Sequence, residues 1–590
     1  MRQESKMEEL QVITERVDDI PLLIGTMTQI GLVEILDSHT PTHWKQKALS
    51  WGWTAVIWLS YILSEGDHRK SSVEQYISRM QDTLENLTGQ KICEADFATH
   101  RLAVLLRHLS QEAYWAEIEK DLSKISIEIH ELPTKVVRCD ATTVSGYHEG
   151  SETGLLQFGH SKDDASLRQI KVMTGALDPL GMPLATDVVS GEKAEDPLYL
   201  PVIERVHNAL QKTGVLYCGD CKMSSLETRT YIRSLYNHYL SPLSLTGKIA
   251  KEMETWIEGG LARKTDGELE QVFRENDKGE EVLIAEGYEL DRNQSGVYEG
   301  KEFQWNERIF ILHSPAHAAK QERGLEQRLE KAQLKLNALT PPRGRGKRQI
   351  TEESVLQEKI DKILKAHKVE GLLTVEYEKQ VEEHTKYVGR SRGSKKRPQQ
   401  VIRKIRYQIK DISRKEEQVT AKKDTFGWKA FVTDVDQQDL SLQDAVLCYH
   451  RKEYRVERIF ERLKSRLNIA PLFVERDDQV AGLTHLLTLG IRVLTLIKFV
   501  VRRSLKQDQA VLEGMYPGQP KKRTASPTVE RVLQSFSNIS LSIIHSGEQV
   551  IRHLTPLSDL QKDLLRRLGI GLELYQNLEN KSNGILLTNR

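Results

Sequence analysis

Two cysteines and an acid stand close together in the stretch LYCGDCKMSS at 216–225, and each residue type supports a different chemistry. Cys218 and Cys221 have the Cys-x-x-Cys spacing of a redox pair or of half a zinc site. A redox pair needs a low-pKa thiol near a helix N-terminus, and Cys221 precedes a predicted helix. A zinc site needs further ligands, and apart from Cys139 the other cysteines lack zinc-knuckle spacing. The third interpretation is a metal site that uses Asp220.

Two aspartates are predicted at the ends of strands. Asp140 follows a β-branched strand, and Asp220 ends the apolar run GVLYCGD. A carboxylate at the edge of a buried sheet is desolvated, so it needs a proton or a counter-cation. Two such acids on neighbouring strands repel each other unless a divalent cation lies between them, and hard oxygen ligands suit Mg²⁺ or Mn²⁺. The residues alone leave open that Asp140 caps a turn before Thr142 and Thr143, and that Asp220 belongs to a strand–helix loop.

A third carboxylate at the start of a packed helix would complete a site for two divalent cations. Two such ions activate an attacking water or hydroxyl and stabilise the leaving oxygen when a phosphodiester is cleaved. The stretch HRKEYRVERIFERLKSRLNI at 450–469 predicts an amphipathic helix, because Val456, Ile459, Phe460 and Leu463 form one apolar stripe.

The elements that must position these acids begin at residue 132. LPTKVVRCDATTVSGY (132–147) predicts one strand, and 168–192 predicts two strands joined by a turn around Asp178-Pro179-Leu180-Gly181. GVLYCGD predicts a short central strand. The helix after it is expected to start at Ser224, with the Ser-x-x-Glu spacing of a capping box.

Helical patterns flank this α/β segment, and a different pattern interrupts it. Residues 54–65, 71–87 and 100–122 carry apolar side chains at helical spacing, and so do residues 482–501. The last 80 or so residues are expected to be helical and exposed. Within the interruption, at about 250–425, a polar β-like stretch precedes a heptad seam that predicts an antiparallel helical hairpin. The seam residues are Leu325, Leu329, Ala332, Leu336, Leu339, Leu356, Ile360 and Ile363.

Composition narrows the classes of protein. The 590 residues are 39% hydrophobic and 29% charged, which predicts a soluble globular protein of three or four domains. We find no secretory signal and no run of about 20 apolar residues, and five thinly spread cysteines favour a reducing compartment. The net charge is +1, but basic clusters favour a polyanionic partner. These clusters lie at 341–348, 389–410, 498–506 and 520–523.

Four stretches, taken as an ordered set, resemble the DDE transposases of the IS4-like superfamily, and most closely the IS1634-type branch. The stretches are VVRCDATTVSGY, LRQIKVMTGALDPLGMPLATDVVSGEKAEDPLYLP, VLYCGDCKMSS and YRVERIFERLKSRLNIAPLF. The resemblance spans roughly 130–250 and 425–500, with a looser match in the N-terminal region.

The resemblance implies an α/β fold whose RNase H-like catalytic domain is split by an insertion that is β-rich and contains a helical hairpin. Helical N- and C-terminal regions complete the chain. The implied segments are a DNA-binding region at 1–130, the catalytic domain at 131–250 and 425–500, the insertion at 251–424 and the C-terminal region at 501–590.

The resemblance also implies the catalytic and metal-binding residues. Asp140 would be the acid of the first strand, Asp220 the acid after the fourth strand, and Glu457 the helix acid of the signature Tyr-x2-Arg-x3-Glu-x6-Lys. Lys464 fits the lysine of that signature and is expected to contact a DNA phosphate. Glu461 lies one helical turn from Glu457 and is a rival for its role, as is the acid at 453.

The signature is incomplete in this chain. Its tyrosine position falls on His450 and its arginine position on Glu453, so Arg451 or Arg455 would have to supply the missing cation. Tyr454 stands where many relatives carry a tryptophan that contacts a flipped base. Insertion-domain tryptophans are further candidates for base stacking, with core packing as the alternative. They are Trp256, Trp305 and Trp428.

The function implied is a cut-and-paste DNA transposase. Two Mg²⁺ or Mn²⁺ ions on Asp140, Asp220 and Glu457 would support strand cleavage at transposon ends and strand transfer into target DNA. The expected partners are transposon-end DNA, target DNA and a second copy of the chain in the DNA complex, with no membrane. The expected location is the cytoplasm, at the bacterial nucleoid. The second hypothesis is a domesticated, catalytically silent, sequence-specific DNA-binding protein, and the presence of all three acids counts against it.

Overall fold

The computed structural model describes most of the chain. The described residues are 11–41, 48–148, 153–160, 164, 166–276, 279–342, 344, 347–388, 399–450, 455–546 and 549–580, without the side chains of 387, 455–457, 546 and 549. They form two compact units. The first contains 1–241, 294–305 and 450–590, and the second contains 242–293 and 306–449.

The fold is mixed α/β. The strands are β1 (Gln11–Arg16), β2 (Val136–Gly146), β3 (Arg168–Asp178), β4 (Met182–Ser190), β5 (Leu216–Cys218), β6 (His238–Pro242), β7 (Glu270–Glu275), β8 (Glu281–Tyr298), β9 (Lys301–His313), β10 (Leu373–Tyr387), β11 (Gln399–Arg414), β12 (Trp428–Thr433), β13 (Leu512–Glu513), β14 (Arg523–Thr524), β15 (Ser540–Ser546) and β16 (Gln549–Leu554). The helices are α1 (Ile20–Gln29), α2 (Leu32–His39), α3 (Trp51–Glu65), α4 (Lys70–Arg79), α5 (Gln81–Thr88), α6 (Thr99–Leu109), α7 (Glu112–His130), α8 (Tyr199–Leu210), α9 (Leu226–Ser234), α10 (Gly247–Asp266), α11 (Pro315–Leu339), α12 (Glu353–His367), α13 (Glu416–Asp424), α14 (Leu442–Tyr449), α15 (Arg455–Glu461), α16 (Asp477–Gln507), α17 (Val529–Gln534), α18 (Asp559–Leu568) and α19 (Glu573–Gln576).

The first unit is built around a mixed sheet with the strand order β4-β3-β2-β5-β6. β2, β3 and β4 pair antiparallel in succession. β5 pairs parallel with β2, and β6 pairs parallel with β5. The predicted hairpin at 168–192 is confirmed as β3 and β4, with Gly181 at a φ of 68° in the turn that joins them. In chain order β2 is therefore the first strand of this sheet and β5 the fourth.

Helix α16 lies in the core of the first unit, where it packs against α3, α6 and β4. Among the described helices it is the one single helix long and apolar enough to cross a membrane, and 94% of its most apolar window is buried inside the protein. The bent pair α1 and α2 passes the same test only when it is counted as one span. The protein itself covers the apolar surface of α16, whose sequence is interrupted by Arg492 and Lys498.

The N-terminal and C-terminal regions are not purely helical, contrary to the prediction. β1 pairs antiparallel with β15, so that Gln11 lies opposite His545, and β15 pairs antiparallel with β16. Leu541 and Ile543 alternate on the buried side of β15 with exposures of 0% and 1%. The helical stretches predicted at 71–87 and 100–122 are each two helices. The first breaks at Met80, where φ is −127°, and the second breaks between α6 and α7.

The second unit contains the predicted helical hairpin. α11 and α12 pack together through the predicted heptad residues, and the pair shares its core with the long two-stranded ribbon of β10 and β11. The unit also contains β12, which pairs antiparallel with β9 and places Phe431 opposite Phe310. β12 lies in the second unit, and the predicted segment boundaries stay predictions.

Candidate active site

The parallel pairing of β2 with β5 sets the positions of the two candidate aspartates. Val136 lies opposite Leu216 and Arg138 lies opposite Cys218, so the register continued by two residues makes Asp140 level with Asp220. Neighbouring strands are about 4.8 Å apart. The charges of both Asp140 and Asp220 act on the buried hydroxyl of Tyr199, so the two carboxylates lie near each other. Both are half-buried.

Asp140 lies inside a strand, not after one. β2 continues to Gly146, and Asp140 is opposite Thr174 of β3. The turn-cap interpretation of Asp140 is therefore wrong, since its neighbours Thr142 and Thr143 are buried strand residues. β5 ends at Cys218, and Asp140 lies two residues beyond the last paired position of β2 with β5. The short length of β5 thus leaves room for side chains at this point of the sheet edge.

Tyr199, the first residue of α8, holds the carboxylate of Asp220. Its hydroxyl donates to Asp220 Oδ1 at 2.6 Å, and the backbone N–H of Lys222 donates to the same oxygen at 2.8 Å. The tyrosine is 1% exposed. Burial, followed by the charges of Asp220 and Asp140, raises the pKa of Tyr199 well above its usual value. The hydroxyl therefore stays protonated near neutral pH and remains a donor to Asp220.

Gly219 allows this contact, because a side chain there would collide with its surroundings. A Cβ at Gly219 would lie 2.7 Å from Met223 Sδ and 3.2 Å from Tyr199 Cε1. Sequence reasoning did not single out Tyr199. The tyrosine lies in EDPLYLP, inside one of the stretches that carry the resemblance. That placement is the one signal that could have drawn attention to it.

The two cysteines of Cys-Gly-Asp-Cys do not have the properties of a redox pair. Cys218 is fully buried, and neither Cys218 nor Cys221 forms a disulfide among the described residues. Burial and the charge of Asp220 raise the pKa of Cys221, whereas a redox-active thiol needs a lowered pKa.

The predicted helix start at Ser224 is wrong. Ser225 is the N-cap, with its hydroxyl accepting from the Thr228 N–H at 3.2 Å, so the capping box with Glu227 does not form.

The predicted catalytic helix is shorter than expected. α15 runs from Arg455 to Glu461 and continues into a π-helical turn at Arg462–Arg466. It contacts β2, which contains Asp140, and β3, which pairs with β2 at that residue. Glu457 belongs to the first turn of α15, and its side chain is outside the described part. Of the predicted apolar stripe, Ile459, Phe460 and Leu463 are buried.

The predicted DNA-binding residues are placed unevenly. Lys464 lies in the π-helical turn and is half-buried. Arg455 begins α15 without a described side chain, and Arg451 and Tyr454 lie outside the described residues. Trp305 is 9% exposed, and its indole N–H donates to the Tyr239 hydroxyl at 2.7 Å. This burial favours core packing of Trp305, the alternative considered for it, over stacking on a base.

The donor set is compatible with a hard divalent cation but is incomplete in the described residues. Within them, no group of three or more His, Cys, Asp or Glu side chains could hold a metal ion. Glu457, the third expected ligand, has no described side chain. Both hydrogen bonds to Asp220 use Oδ1, and no described residue donates to Oδ2. Asp220 therefore has a fixed orientation and one carboxylate oxygen available to a cation.

Comparison with known proteins gives little further information. No family model and no curated protein match the chain. Among solved structures, the chain is similar to the piggyBac transposase in a synaptic complex with hairpin DNA. The identity is 8%, the TM-score is 0.35, and the match covers 98% of this chain and 89% of that chain. A likeness at this TM-score carries no argument about fold or function.

Proposed function

We propose that the protein is a DDE-type DNA transposase with an RNase H-like catalytic domain, as the resemblance to the IS4-like superfamily and its IS1634-type branch implies. The observation that carries the proposal is the register of β2 and β5, whose continuation by two residues makes Asp140 of the first strand level with Asp220, which follows the fourth. The resemblance implies an acid at each of these two positions. Helix α15, which contains Glu457, lies against β2, where a third acid is needed.

Asp140, Asp220 and Glu457 would hold two Mg²⁺ or Mn²⁺ ions. When bound, such ions activate the attacking oxygen and stabilise the leaving oxygen of a phosphodiester. Tyr199 and the Lys222 N–H fix Oδ1 of Asp220, which leaves Oδ2 as the ligand atom. Lys464 would contact a phosphate of the bound strand. The protein contributes mainly the positions of these groups, which is the usual basis of catalysis in phosphoryl transfer.

Transposon-end DNA and target DNA are the proposed substrates, in a complex that contains two copies of the chain, at the bacterial nucleoid in the cytoplasm. Two copies are proposed because two DNA ends must be brought together. The basic clusters of the sequence support a polyanionic partner in an otherwise near-neutral chain.

Cleavage of DNA that carries the flanking ends of the element tests the proposal. With Mg²⁺, the wild-type chain should nick at the ends, and Asp140→Ala should lower the rate by at least about a thousandfold. Asp559→Ala is the matched control, since Asp559 is a fully exposed residue at the start of α18, and it should cleave at the wild-type rate. Retained cleavage by Asp140→Ala would overturn the site assignment. Tight, sequence-specific binding without cleavage by the wild type would favour the silent DNA-binding protein.

A further inference from the structure

A basic cavity of about 480 Å³ lies within the first unit, beside the proposed catalytic helix. Its walls come from α15 and the π-helical turn, from α16, and from α17 with its N-cap. Five cationic side chains, two carboxylates and two hydroxyl side chains line it. They are Arg458, Arg462, Arg466, Lys498 and Arg502, then Glu461 and Glu530, then Ser465 and Thr528. Of these residues, Lys498 and Arg502 belong to the basic cluster at 498–506.

The arginines of this cavity are crowded and partly removed from water. The Arg462 side chain is 12% exposed, and its nearest acid is Glu530 at 3.6 Å. Burial lowers the pKa of Arg462, Glu530 opposes this, and the charges of Arg458 and Arg502 add to the lowering. The pKa of Arg502 is likewise lowered by burial and then by Arg458. Cations held together in this way favour the binding of an anion, which removes the repulsion.

Donor groups in the cavity remain available to a ligand. In the described part of the chain, Arg458 makes no hydrogen bond and no ion pair, and it is half-buried. The Nε of Arg466 is buried and has no described hydrogen-bond partner, although its NH2 group donates to the Leu63 carbonyl. Arg502, by contrast, is held in place by the backbone carbonyls of 526 and 527. The cavity thus combines a fixed arginine, Arg502, with Arg458, whose guanidinium has no partner in the described part of the chain.

We propose that this cavity is a phosphate-binding site. Arginine forks match phosphate oxygens in a bidentate manner, and the arginines are the donors here, since the Ser465 hydroxyl already donates to the Glu461 carbonyl at 2.6 Å. Glu461 and Glu530 offset only part of the positive charge. The site therefore favours a ligand that carries more than one negative charge on one group, or single negative charges repeated along its length. The phosphate belongs to a DNA backbone or to a free phosphorylated molecule. The inference goes beyond the proposed function, because it requires no strand cleavage.

The test measures binding by the full chain in EDTA, so that cleavage plays no part. Arg458→Gln is the main variant, since Arg458 has no described partner whose loss would unfold the protein. Arg458→Lys retains the charge. Arg566→Gln is the matched control, because Arg566 is 64% exposed and lies outside both the cavity and the basic clusters. Two ligands are titrated with each variant: duplex DNA of unrelated sequences over a range of salt concentrations, and tripolyphosphate by calorimetry.

If the phosphate is a DNA backbone group, Arg458→Gln should weaken binding equally for all sequences and reduce the slope of log K against log salt by about 1. Arg458→Lys should restore the slope, and Arg566→Gln should leave it unchanged. If the site takes a free phosphorylated molecule, tripolyphosphate should bind the wild type and not Arg458→Gln, with the same DNA slope in both. The proposal is overturned if Arg458→Gln and Arg566→Gln behave alike with both ligands. Absence of DNA cleavage by the wild type would leave this result unaffected.

Discussion

Two groups of carboxylates in the first unit differ in how the protein compensates their charge. Glu119 of α7 is fully enclosed and has two arginines beside it, Arg205 at 3.4 Å and Arg492 at 3.7 Å. Arg205 also pairs with Asp187 of β4 at 2.7 Å. Asp220, at the end of β5, has no arginine or lysine ion pair among the described residues and is held by a tyrosine hydroxyl and a backbone N–H.

This difference agrees with a structural role for the first group and with the role proposed for Asp220. Carboxylates that are paired inside the protein, like Glu119 and Asp187, connect α7, α8, β4 and α16 and leave no charge for a ligand. A carboxylate oriented by neutral donors keeps its negative charge available, which is what a site for a divalent cation needs. Substitutions that keep the shape but remove the charge should therefore affect the two groups in opposite ways.

The largest effect is expected from Asp220→Asn. The amide keeps an oxygen for the Tyr199 hydroxyl but removes the negative charge, so DNA cleavage should fall at least about a thousandfold while the thermal midpoint stays nearly unchanged. Asp187→Asn is the matched change on the same sheet, and it should lower stability by about 1–3 kcal/mol with cleavage retained, because it leaves Arg205 less compensated. Loss of cleavage without loss of stability in Asp187→Asn would contradict the distinction between the ion-paired carboxylates and Asp220.

A smaller effect, on stability, is expected from the charge of Glu119. Burial outweighs the two arginines and raises the pKa of Glu119 from 4.5 to about 7. A raised acid pKa means that the folded state binds the proton more tightly than the unfolded state does. The stabilisation that this proton gives is complete below about pH 4.5 and is lost as the pH rises through about 7. Glu119→Gln lacks this titration. Relative to the wild type, its thermal midpoint should therefore rise by a few degrees between pH 5 and pH 8.

Glu204→Gln is the control for that measurement, since Glu204 is an exposed residue of α8. Its midpoint should follow that of the wild type at both pH values. Parallel pH profiles for Glu119→Gln and the wild type would show that Glu119 does not titrate in this range, and the two groups of carboxylates would then differ less than the structure indicates.

Local sequence patterns predicted the elements of the fold better than their long-range pairing. The hairpin of β3 and β4 and the helical hairpin of α11 and α12 follow from periodicity and turn residues within short stretches. The sheet of β1, β15 and β16 was missed because Gln11 and His545 are partners across almost the whole chain, and no local pattern records that pairing. The helix break at Met80 was also missed, because the apolar spacing continues across it.

The candidate site was predictable in part, and mostly through the resemblance. Asp140 and Asp220 are isolated acids whose spacing alone is uninformative, and the ordered motifs selected them. Tyr199 was not predicted as a site residue because a tyrosine at the start of a helix follows no pattern. Its contact with Asp220 also depends on the absence of a side chain at Gly219. Ser225 replaced Ser224 as the helix cap because adjacent serines have the same cap propensity, and only the backbone decides between them.

The smallest expected effect concerns Tyr199, and it tests how Asp220 is oriented. Tyr199→Phe removes the donor to Oδ1 without changing the buried ring, so Asp220 should bind a cation less well. The Mg²⁺ concentration for half-maximal DNA cleavage should rise about tenfold, with the rate at saturating Mg²⁺ little changed. A loss that came only from poorer folding would lower the rate at every Mg²⁺ concentration.

Tyr217→Phe is the matched control, because Tyr217 of β5 is also fully buried but its hydroxyl has no hydrogen-bond partner among the described residues. Equal Mg²⁺ dependence in the two variants would mean that the Tyr199 hydroxyl does not position Asp220 for metal binding.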